Sequence, residues 1–569
     1  MTSKADQIEL SLSLPSDADA SAPVECLGLT FANDAERRAY FLDKLREKLQ
    51  DPEFRQIEGF PIGADEDILA LSDPPYYTAC PNPFLADFIR CYGKPYDPET
   101  DDYHREPFAA DVSEGKNDPI YNAHSYHTKV PHKAIMRYIL HYTEPGDVVF
   151  DGFCGTGMTG VAAQMCGDRM TVESLGYRVK PDGTILDEDK KPFSKLGARR
   201  TILNDLSPAA TFIAYNYNTP VDMAVFEREA KRILAEVEKE CGWMYTTLHQ
   251  PTDEQIESAL KVLDNVQEVL LEKNLKDAGL TSGRINYTIW SDVFTCPECV
   301  GEVIFWNEAV DKKAGKVRDD FPCPHCHAEL KKKRMDRAWE VKYDAAIQQA
   351  IRQAKQVPVL LNYTVGKKRH TKIIDIFDLN LIDKIDKIDI PCWFPSNRMM
   401  EGGETRRNDS IGITHVHHFY TKRNFWVFSN FIDHSRNSFC PNHLLEAAKD
   451  CHSYATKMVK LNVDRLLNGG GQFMGAISGT LYIPSLHAEQ STLSSVITKT
   501  KKIPNNYFYY PKKYKFFLGT NDQANNTIPT SSVDYIFTDP PFGSNLTYSE
   551  LNFLWESWLR IFTSSLRHK

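Results

Sequence analysis

The sequence lacks the features of membrane, secreted and disulfide-bonded proteins. No run approaches the roughly 18 consecutive apolar residues that a membrane-spanning helix needs. The first 23 residues contain no apolar core of the kind that secretory leaders carry. Thirteen cysteines in 569 residues are too sparse for a disulfide scaffold. We therefore expect a cytoplasmic protein in a reducing environment, with a polar, disordered leader at residues 1–30.

The composition is typical of a globular protein. Hydrophobic residues make up 42% and charged residues 25% of the chain, with 30 glycines and 32 prolines. These proportions exclude a collagen-like, coiled-coil or wholly disordered chain. At roughly 150 residues per domain, the 569 residues allow three or four domains.

The net charge of −10 hides an uneven distribution of charged residues. Residues 311–372 contain 16 Lys or Arg against 7 Asp or Glu, a local balance of +9, so the remainder carries −19. A basic segment within an acidic chain predicts a localised contact surface for an acidic partner. Charge runs are equally common as solvated faces, and the sequence leaves both interpretations open.

The most informative segment is EPGDVVFDGFCGTGMTG, residues 144–160. Its apolar run VVF predicts a short buried strand, and its glycines predict a tight bend into a helix that begins with VAAQM. Gly155 and Gly157 allow the backbone to turn sharply and to approach a ligand closely, and the amides at the helix start would face that ligand. The spacing Gly155-x-Gly157-x-x-Gly160 alone is weak evidence for a dinucleotide site.

A second anchor, SVDYIFTDPPFG, lies at residues 532–543. Its apolar run predicts a buried strand over residues 533–537. That strand is followed by a tetrad, Asp539-Pro540-Pro541-Phe542.

Together the two segments resemble amino-methylating DNA methyltransferases. The loop Phe153-x-Gly155-x-Gly157 after Asp151 resembles their S-adenosylmethionine loop, and Asp-Pro-Pro-aromatic is the hallmark of the N6-adenine enzymes. The stretch TDPPFGSNLTYSELNFLWESWL is similar to the adenine-specific DNA methylases that carry a Zn-ribbon. The resemblance implies a Rossmann-like, class I α/β methyltransferase sheet, S-adenosyl-L-methionine as cofactor and double-stranded DNA, with a flipped base, as substrate.

The resemblance also implies roles for residues on the cofactor side. The segment around Lys129 corresponds to the part that closes over the methionine end of the cofactor. ARRTILNDLSPAATF predicts a second strand that ends in Asp205, where such folds bind ribose hydroxyls. KYKFFLGTNDQAN fits the third strand, and its Asp522 would lie near the adenine of the cofactor. Residues 167–198, which lengthen the connection to Asp205, are interpreted as an inserted hairpin.

The tetrad has the chemistry to bind an extruded adenine. An exocyclic amine is a poor nucleophile because its lone pair is delocalised into the ring. The Asp539 carboxylate and the Pro540 carbonyl can accept the two amine hydrogens, and Pro541 helps to hold that carbonyl rigid. Phe542 offers a ring on which the base stacks. N4-cytosine and RNA methyltransferases would share this chemistry, whereas glutamine methylases usually carry Asn-Pro-Pro-Tyr.

A second tetrad, Asp73-Pro74-Pro75-Tyr76, occurs near the N-terminus. It also follows an apolar run, so it is an alternative catalytic site of a permuted enzyme. About 50 residues separate it from Lys129, too few for a catalytic half at about 5–6 residues per strand and 11–12 per helix. The competing interpretation is a rigid loop that packs on the cofactor or DNA cleft.

Two C-P-x-C knuckles, separated by 23 residues, predict a zinc site. Four thiolates at this spacing form a closed tetrahedral site, which leaves no position open for catalysis, so the zinc is expected to be structural. His325 and His327 are neighbours that could substitute. The expected ligands are Cys296, Cys299, Cys323 and Cys326.

The motifs predict the following division of the chain: a leader (1–30), an N-terminal arm (31–118), a cofactor-binding half (119–220), an insertion (221–505) and a catalytic half (506–569). The insertion holds the zinc ribbon at about residues 290–335 and helical patterns at 223–240 and 253–276, and it is the candidate target-recognition region.

The end of the sequence raises a further alternative. One helix follows Phe542, so strands five to seven of a methyltransferase sheet are expected to be missing or supplied by a second polypeptide or a lost segment. The alternative to an active enzyme of DNA methylation or restriction-modification is therefore a catalytically incomplete, nucleic-acid-binding protein.

Overall fold

The structure is a computed structural model that describes residues 22–124, 126, 129–501, 516–522, 528–541 and 547–564. Residues 1–21 of the predicted leader lie outside these residues, whereas Val24–Cys26, which was also assigned to the leader, forms a strand that pairs with Leu29–Phe31. Within them, no helix combines the length and apolar character that crossing a membrane requires.

The regular elements of the N-terminal segment, residues 22–123, are mostly helices, and no helix or strand lies between residues 93 and 118. Helix α1 begins after Asn33, whose side chain accepts the amide of Glu36, and Phe41, Leu45 and Leu49 bury one face of the helix at a spacing of four residues. The elements of the segment are β1 (Val24–Cys26), β2 (Leu29–Phe31), α1 (Asp34–Leu49), α2 (Pro52–Arg55), β3 (Ile62–Gly63), α3 (Asp65–Leu71), α4 (Leu85–Tyr92) and α5 (Pro119–Asn122).

The next part, residues 132–218, carries the glycine-rich loop. The segment interpreted as an inserted hairpin is larger than a hairpin, because a short helix precedes three antiparallel strands in the order β5-β6-β7. The elements are α6 (His132–Tyr142), β4 (Val148–Asp151), α7 (Met158–Met165), α8 (Arg169–Ser174), β5 (Arg178–Val179), β6 (Thr184–Leu186), β7 (Pro192–Lys195), β8 (Arg200–Asp205) and α9 (Pro208–Asn218).

A long insertion follows α9. Its first half contains α10 (Met223–Cys241), β9 (Thr246–Leu248), α11 (Asp253–Asn265), α12 (Leu271–Asp277), β10 (Ser282–Thr295), β11 (Glu302–Ile304), α13 (Phe305–Ala309), β12 (Val310–Asp311), β13 (Lys316–Val317), β14 (Asp320–Pro322), β15 (Glu329–Lys331) and β16 (Asp336–Arg337). The helical pattern at 223–240 is confirmed, whereas the pattern at 253–276 is divided between α11 and α12 by a short 3₁₀ turn.

The second half of the insertion contains β17 (Trp339–Asp344), β18 (Gln349–Ala354), β19 (Gln356–Val365), β20 (Lys368–Ile373), α14 (Ile376–Lys387), α15 (Lys422–Arg436), α16 (Pro441–Ala455), β21 (Val459–Leu461), α17 (Val463–Asn468), β22 (Met474–Ala476), β23 (Leu486–Gln490) and α18 (Thr492–Thr500). The last part of the described chain contains β24 (Phe516–Thr520), β25 (Tyr535–Ile536), α19 (Tyr548–Leu559) and β26 (Ile561–Phe562).

Four strands from distant parts of the sequence form one parallel sheet in the order β24-β8-β4-β25. The four strands predicted before and after the insertion are therefore confirmed as one parallel sheet. The α/β fold class with a parallel sheet is also confirmed. Within the described residues the sheet has four strands. The prediction that further strands are missing stays a prediction.

Strand β25 differs from its sequence-based expectation. A buried strand was expected over residues 533–537, but the pairing with β4 covers only Tyr535 and Ile536, and Ile536 is 57% exposed. Ile536 is exposed because β25 is an edge strand of the sheet within the described residues. Apolar alternation cannot tell an edge strand from a central one.

The insertion has a sheet of its own, built around the long strand β10. Its main order is β20-β19-β10-β23-β21-β22, and β9, β11 and β16 also pair with β10. Every pairing in this sheet is antiparallel. The insertion is therefore a separate antiparallel unit that interrupts the parallel sheet between β8 and β24.

The N-terminal segment packs onto the free edge of the parallel sheet at β24. The Thr78 amide donates to the Leu518 carbonyl, and the Phe88 ring lies 4.3 Å from the Phe517 ring. Strand β3 of the same segment pairs with β26, the last strand of the described chain. The segment thus covers strand β24 and fixes the end of the described chain.

A buried ion pair joins helix α1 to the tetrad at residues 73–76. Arg37, which is fully buried, donates from Nη1 to Asp73 Oδ1 at 2.8 Å and to the Pro74 carbonyl at 2.7 Å. The Tyr215 hydroxyl of α9 donates to the other carboxylate oxygen at 3.0 Å. Removal of one partner of a buried ion pair leaves the other charge buried, without solvent or that counter-ion.

We predict that Arg37→Met lowers the free energy of unfolding by about 3–5 kcal/mol, because the buried Asp73 carboxylate loses the guanidinium that donates to it and keeps the more exposed Arg38 guanidinium at 3.6 Å. Urea denaturation of the full chain measures this change. Arg46→Met is the matched control on the same helix, since the Arg46–Asp43 pair is more than half exposed and should cost less than about 1 kcal/mol. Equal effects of the two variants would contradict the assigned role of Arg37.

Candidate active site and metal centre

The glycine-rich loop joins the end of β4 to the start of α7. Gly155 and Gly157 adopt φ values of +50° and +75°, which side-chain-bearing residues rarely occupy. A Cβ on Gly157 would lie 2.7 Å from Asn218 Nδ2, so packing also requires glycine there. A Cβ on Gly155 would meet nothing within 4 Å. The loop is therefore tightly packed on the α9 side and open at Gly155, which fits a bound ligand.

Asp151 ends β4 and lies beneath this loop. Its carboxylate accepts the Thr159 hydroxyl at 2.5 Å and the Phe153 amide at 3.1 Å. Burial raises the pKa of Asp151 to about 7, against the effect of these two donors, and the carboxylates of Asp205 and Asp539 raise it further.

Asp205 ends the neighbouring strand β8 and holds the loop from the other side. One carboxylate oxygen accepts the Gly155 amide at 2.9 Å, and the other accepts the Ser207 amide at 3.0 Å. Burial raises the pKa of this carboxyl, although both amides oppose the shift. The side chain thus links the ligand loop to the start of α9, and each oxygen keeps a lone pair for a further donor.

Of the predicted tetrad, Asp539, Pro540 and Pro541 are exposed. Phe542 lies outside the described residues. Strand β25 runs parallel to β4, so Asp539, three residues beyond β25, follows the same end of the sheet as Asp151, whose pKa its charge raises. Within the described chain, no residue donates a hydrogen bond to the Asp539 carboxylate.

The other predicted cofactor residues have different surroundings. Asp522 follows β24, where Thr520 is in register with Asp205, and its amide donates to the Glu58 carbonyl at 3.1 Å. The Lys129 ammonium instead donates to the carbonyls of Tyr121 and His124, and burial lowers its pKa to about 8. The structure therefore brings Asp151, Asp205 and Asp522 to one edge of the sheet, whereas Lys129 anchors the preceding segment.

Sequence reasoning missed the polar face of α19. The Asn552 amide donates to Ser207 Oγ at 3.0 Å and to the Tyr126 hydroxyl at 3.1 Å. Ser207 in turn donates to the buried Glu556 carboxylate at 2.8 Å. The sequence does contain an indication of this face. Asn552 and Glu556 are polar residues within the apolar run NFLWESWL, and residues four positions apart share one face of a helix. This face connects the helix after the tetrad to the start of α9.

The N-terminal tetrad has its acceptor groups occupied. Amine binding would require the Asp73 carboxylate and the Pro74 carbonyl, and Arg37 donates to both. The Tyr76 ring is buried, with the Arg37 guanidinium 4.9 Å from its centroid. In this arrangement both acceptors already accept from Arg37, and the aromatic ring of the tetrad is buried.

The four predicted zinc ligands form one cluster. Cys296 Sγ lies 3.8 Å from Cys326 Sγ, and Cys299 Sγ lies 3.7 Å from Cys323 Sγ. A tetrahedron with Zn–S bonds of about 2.3 Å has edges of about 3.8 Å. The cluster therefore fits Zn²⁺. His325 is not part of it, because its Nε2 contacts the Glu302 carbonyl at 2.9 Å.

Basic residues flank the second cysteine pair of this cluster in the sequence. They lie on the segments just before and after the second cysteine pair and are exposed, so they form a solvated positive surface. The exposed members are Lys312, Lys313, Lys316, Arg318, Lys331, Lys333 and Arg334.

Comparison with known proteins gives one family match. Residues 30–192 match the N6/N4 DNA methylase family, described as DNA methylase. The matched region contains the tetrad at residues 73–76 and the glycine-rich loop, whereas the tetrad at 539–542 and the cysteine cluster lie beyond it. No curated protein and no solved structure matches the chain.

We predict that Cys299→Ser removes one zinc ion per chain relative to the wild type, because a Cys₄ site needs four thiolates to close its coordination shell. Metal analysis of the purified full-length protein measures this loss. Cys91→Ser is the control, since Cys91 is also exposed but lies far from the cluster in sequence. An unchanged zinc content in Cys299→Ser would refute the assignment.

A further prediction concerns pH. Between about pH 4 and 7, Asp151 has lost its proton in the unfolded chain but keeps it in the folded protein. The contribution of this group to the free energy of unfolding is therefore complete below about pH 4 and is lost as the pH rises through about 7. Asp151→Asn should therefore flatten the pH dependence and stabilise the ligand-free protein by about 1–2 kcal/mol at pH 8.

Urea denaturation between pH 5 and 8 measures this effect. Asp189→Asn, at a position 79% exposed, is the control and should follow the wild type. If Asp151→Asn also followed the wild-type curve, the carboxyl would not be held in its protonated form.

Proposed function

We propose that this chain is an S-adenosylmethionine-dependent DNA methyltransferase that acts on the N6 amine of adenine. The observation that carries the proposal is the exposed Asp539-Pro540 pair that follows β25, because β25 runs parallel to β4, the strand that leads into the glycine-rich loop. The match of residues 30–192 to the N6/N4 DNA methylase family supports the reaction class. The choice of adenine rests on the Asp-Pro-Pro-Phe pattern.

The residues present fit the cofactor. The open side of Gly155 leaves room for it, and Asp205 and Asp522 lie where carboxylates can accept hydroxyl and amine donors. When bound, S-adenosylmethionine supplies an electrophilic methyl group on a sulfonium. Asp151 would stabilise the loop that surrounds it.

The tetrad would activate the target amine. Asp539 and the Pro540 carbonyl would accept its two hydrogens, which concentrates the nitrogen lone pair for attack on the methyl carbon. As the new bond forms, the bond from the methyl carbon to sulfur would break with its electron pair left on sulfur, and the extra proton on the nitrogen would pass to water. Phe542 would stack on the base. The proposal assigns the exposed basic surface near the zinc cluster to phosphate contacts.

A catalytically incomplete, nucleic-acid-binding protein is the second candidate. The observation that favours it is the exposed basic surface near the zinc cluster, since phosphate contacts need no catalytic residue. Such a protein could bind the cofactor and DNA, so only methyl transfer separates the two functions.

We predict that Asp539→Ala lowers methyl transfer to DNA by at least about 100-fold while it leaves the free energy of unfolding within about 0.5 kcal/mol, because Asp539 is exposed and binds the reacting amine. Transfer of a labelled methyl group from S-adenosylmethionine to DNA measures the rate. Nucleoside analysis of the product should give N6-methyladenine.

Asp73→Asn is the matched control for this experiment. It should lower stability but keep methyl transfer at temperatures where it is folded, since the Asp73 carboxylate is buried against Arg37. The reverse outcome would assign catalysis to the N-terminal tetrad. N4-methylcytosine as product would overturn the choice of adenine, and no transfer by the wild type would favour the second candidate.

A further inference from the structure

A second group of metal-type side chains lies away from the cysteine cluster. Asp344, His417 and His418 place one ligand atom each within 4.8 Å of one another. Both imidazole Nε2 atoms lie 2.7 Å from the same oxygen, Asp344 Oδ2. The three side chains are 8%, 12% and 3% exposed, respectively.

The backbone fixes the direction of each group. Asp344 ends β17, and its other oxygen, Oδ1, accepts the Ala346 amide at 3.0 Å in the turn before β18. Oδ2 is therefore the oxygen that faces the imidazoles. The two histidines lie in a 3₁₀ turn, Val416–Phe419, just before α15. The turn after β17 and the 3₁₀ turn before α15 thus contribute to one site.

The donor set is one that divalent transition metals use. Two imidazole nitrogens and one carboxylate oxygen are a recurrent ligand set for Zn²⁺ with an open fourth position, and for other first-row metals. A carboxylate whose second oxygen is held by a backbone amide is oriented in the way that outer hydrogen bonds orient metal ligands.

We propose that Asp344, His417 and His418 bind a divalent transition metal, with Zn²⁺ as the first candidate. This inference does not depend on the proposed methyltransferase function. On binding, each neutral ring would carry its proton on Nδ1 and present the Nε2 lone pair to the metal. His417 Nδ1 has no hydrogen-bond partner within the described chain, and His418 Nδ1 gives up one weak contact, at 3.3 Å, with the Thr414 amide.

The geometry requires only a small adjustment. Ligand atoms about 2.0–2.1 Å from a tetrahedral metal are about 3.3 Å apart. The present separations of 2.7 Å would therefore widen by about half an ångström. His415 is close but differs from the proposed ligands, because its ring centroid is 5.2 Å from that of His418 and its Nδ1 contacts Thr414 Oγ1 at 2.9 Å.

The ion would connect two parts of the molecule. It would link the turn between β17 and β18 to the start of α15. The Phe425 and Phe428 rings of α15 pack against Trp558 of α19, the helix that follows the tetrad at residues 539–542. The site is thus one connection between the insertion and the helix beside the candidate active site.

Metal analysis of the full-length protein tests the proposal. The protein is loaded with Zn²⁺ alone, freed of excess metal and analysed for bound zinc. We expect two ions per chain for the wild type and one for Asp344→Asn or His417→Gln. Cobalt substitution provides a second measurement, since thiolate ligands give intense charge-transfer absorption and a nitrogen and oxygen site gives weak visible bands only. Asp344→Asn should lose the weak bands alone.

The control is His415→Gln, which should keep both ions. Combining Asp344→Asn with Cys299→Ser should leave no bound metal and so separates the two sites. One ion per wild-type chain, or two ions retained in both Asp344→Asn and His417→Gln, would overturn the proposal and leave these side chains as a hydrogen-bonded link between the two turns.

Discussion

The parallel pairing of β24 with β8 is the constraint on which the rest of the structure depends. About 300 residues of insertion separate these strands in sequence, yet Phe516–Thr520 pair in register with Thr201–Asp205. The insertion must therefore leave and re-enter the sheet at neighbouring positions. It meets this requirement by folding as a separate antiparallel unit around β10. The carboxyl ends of the strands, where the predicted acids lie, are thereby kept together.

The two Asp-Pro-Pro-aromatic sequences show that one motif can have two structural environments. At residues 73–76 a buried guanidinium binds both the carboxylate and the proline carbonyl. At Asp539 the carboxylate is exposed and has no hydrogen-bond donor among the described residues. The difference comes from Arg37, which precedes its tetrad by 36 residues. The family match covers the first tetrad alone, so sequence similarity and side-chain availability favour different tetrads.

Much of the fold follows from local sequence patterns. The strands that end in Asp151 and Asp205, the bend at Gly155 and Gly157 and the cysteine knuckles could all be predicted, because short-range steric and ligand rules determine them. The site formed by Asp344 and the two histidines could not, since more than 70 residues separate its members. The polar face of α19 and the exposure of β25 also depend on which distant element packs there.

The grouping of buried carboxyl groups at the carboxyl edge of the sheet is itself an argument about the ligand. Burial raises the pKa of both Asp151 and Asp205, and Asp539 adds a third carboxylate that raises the pKa of Asp151 further. In the described structure only neutral groups, the amides and a hydroxyl, donate to the two buried acids. An anionic ligand would increase this repulsion, whereas a cation would relieve it. The proposed cofactor, S-adenosylmethionine, carries a sulfonium and an ammonium group, and either cation would favour the ionised form of these buried acids.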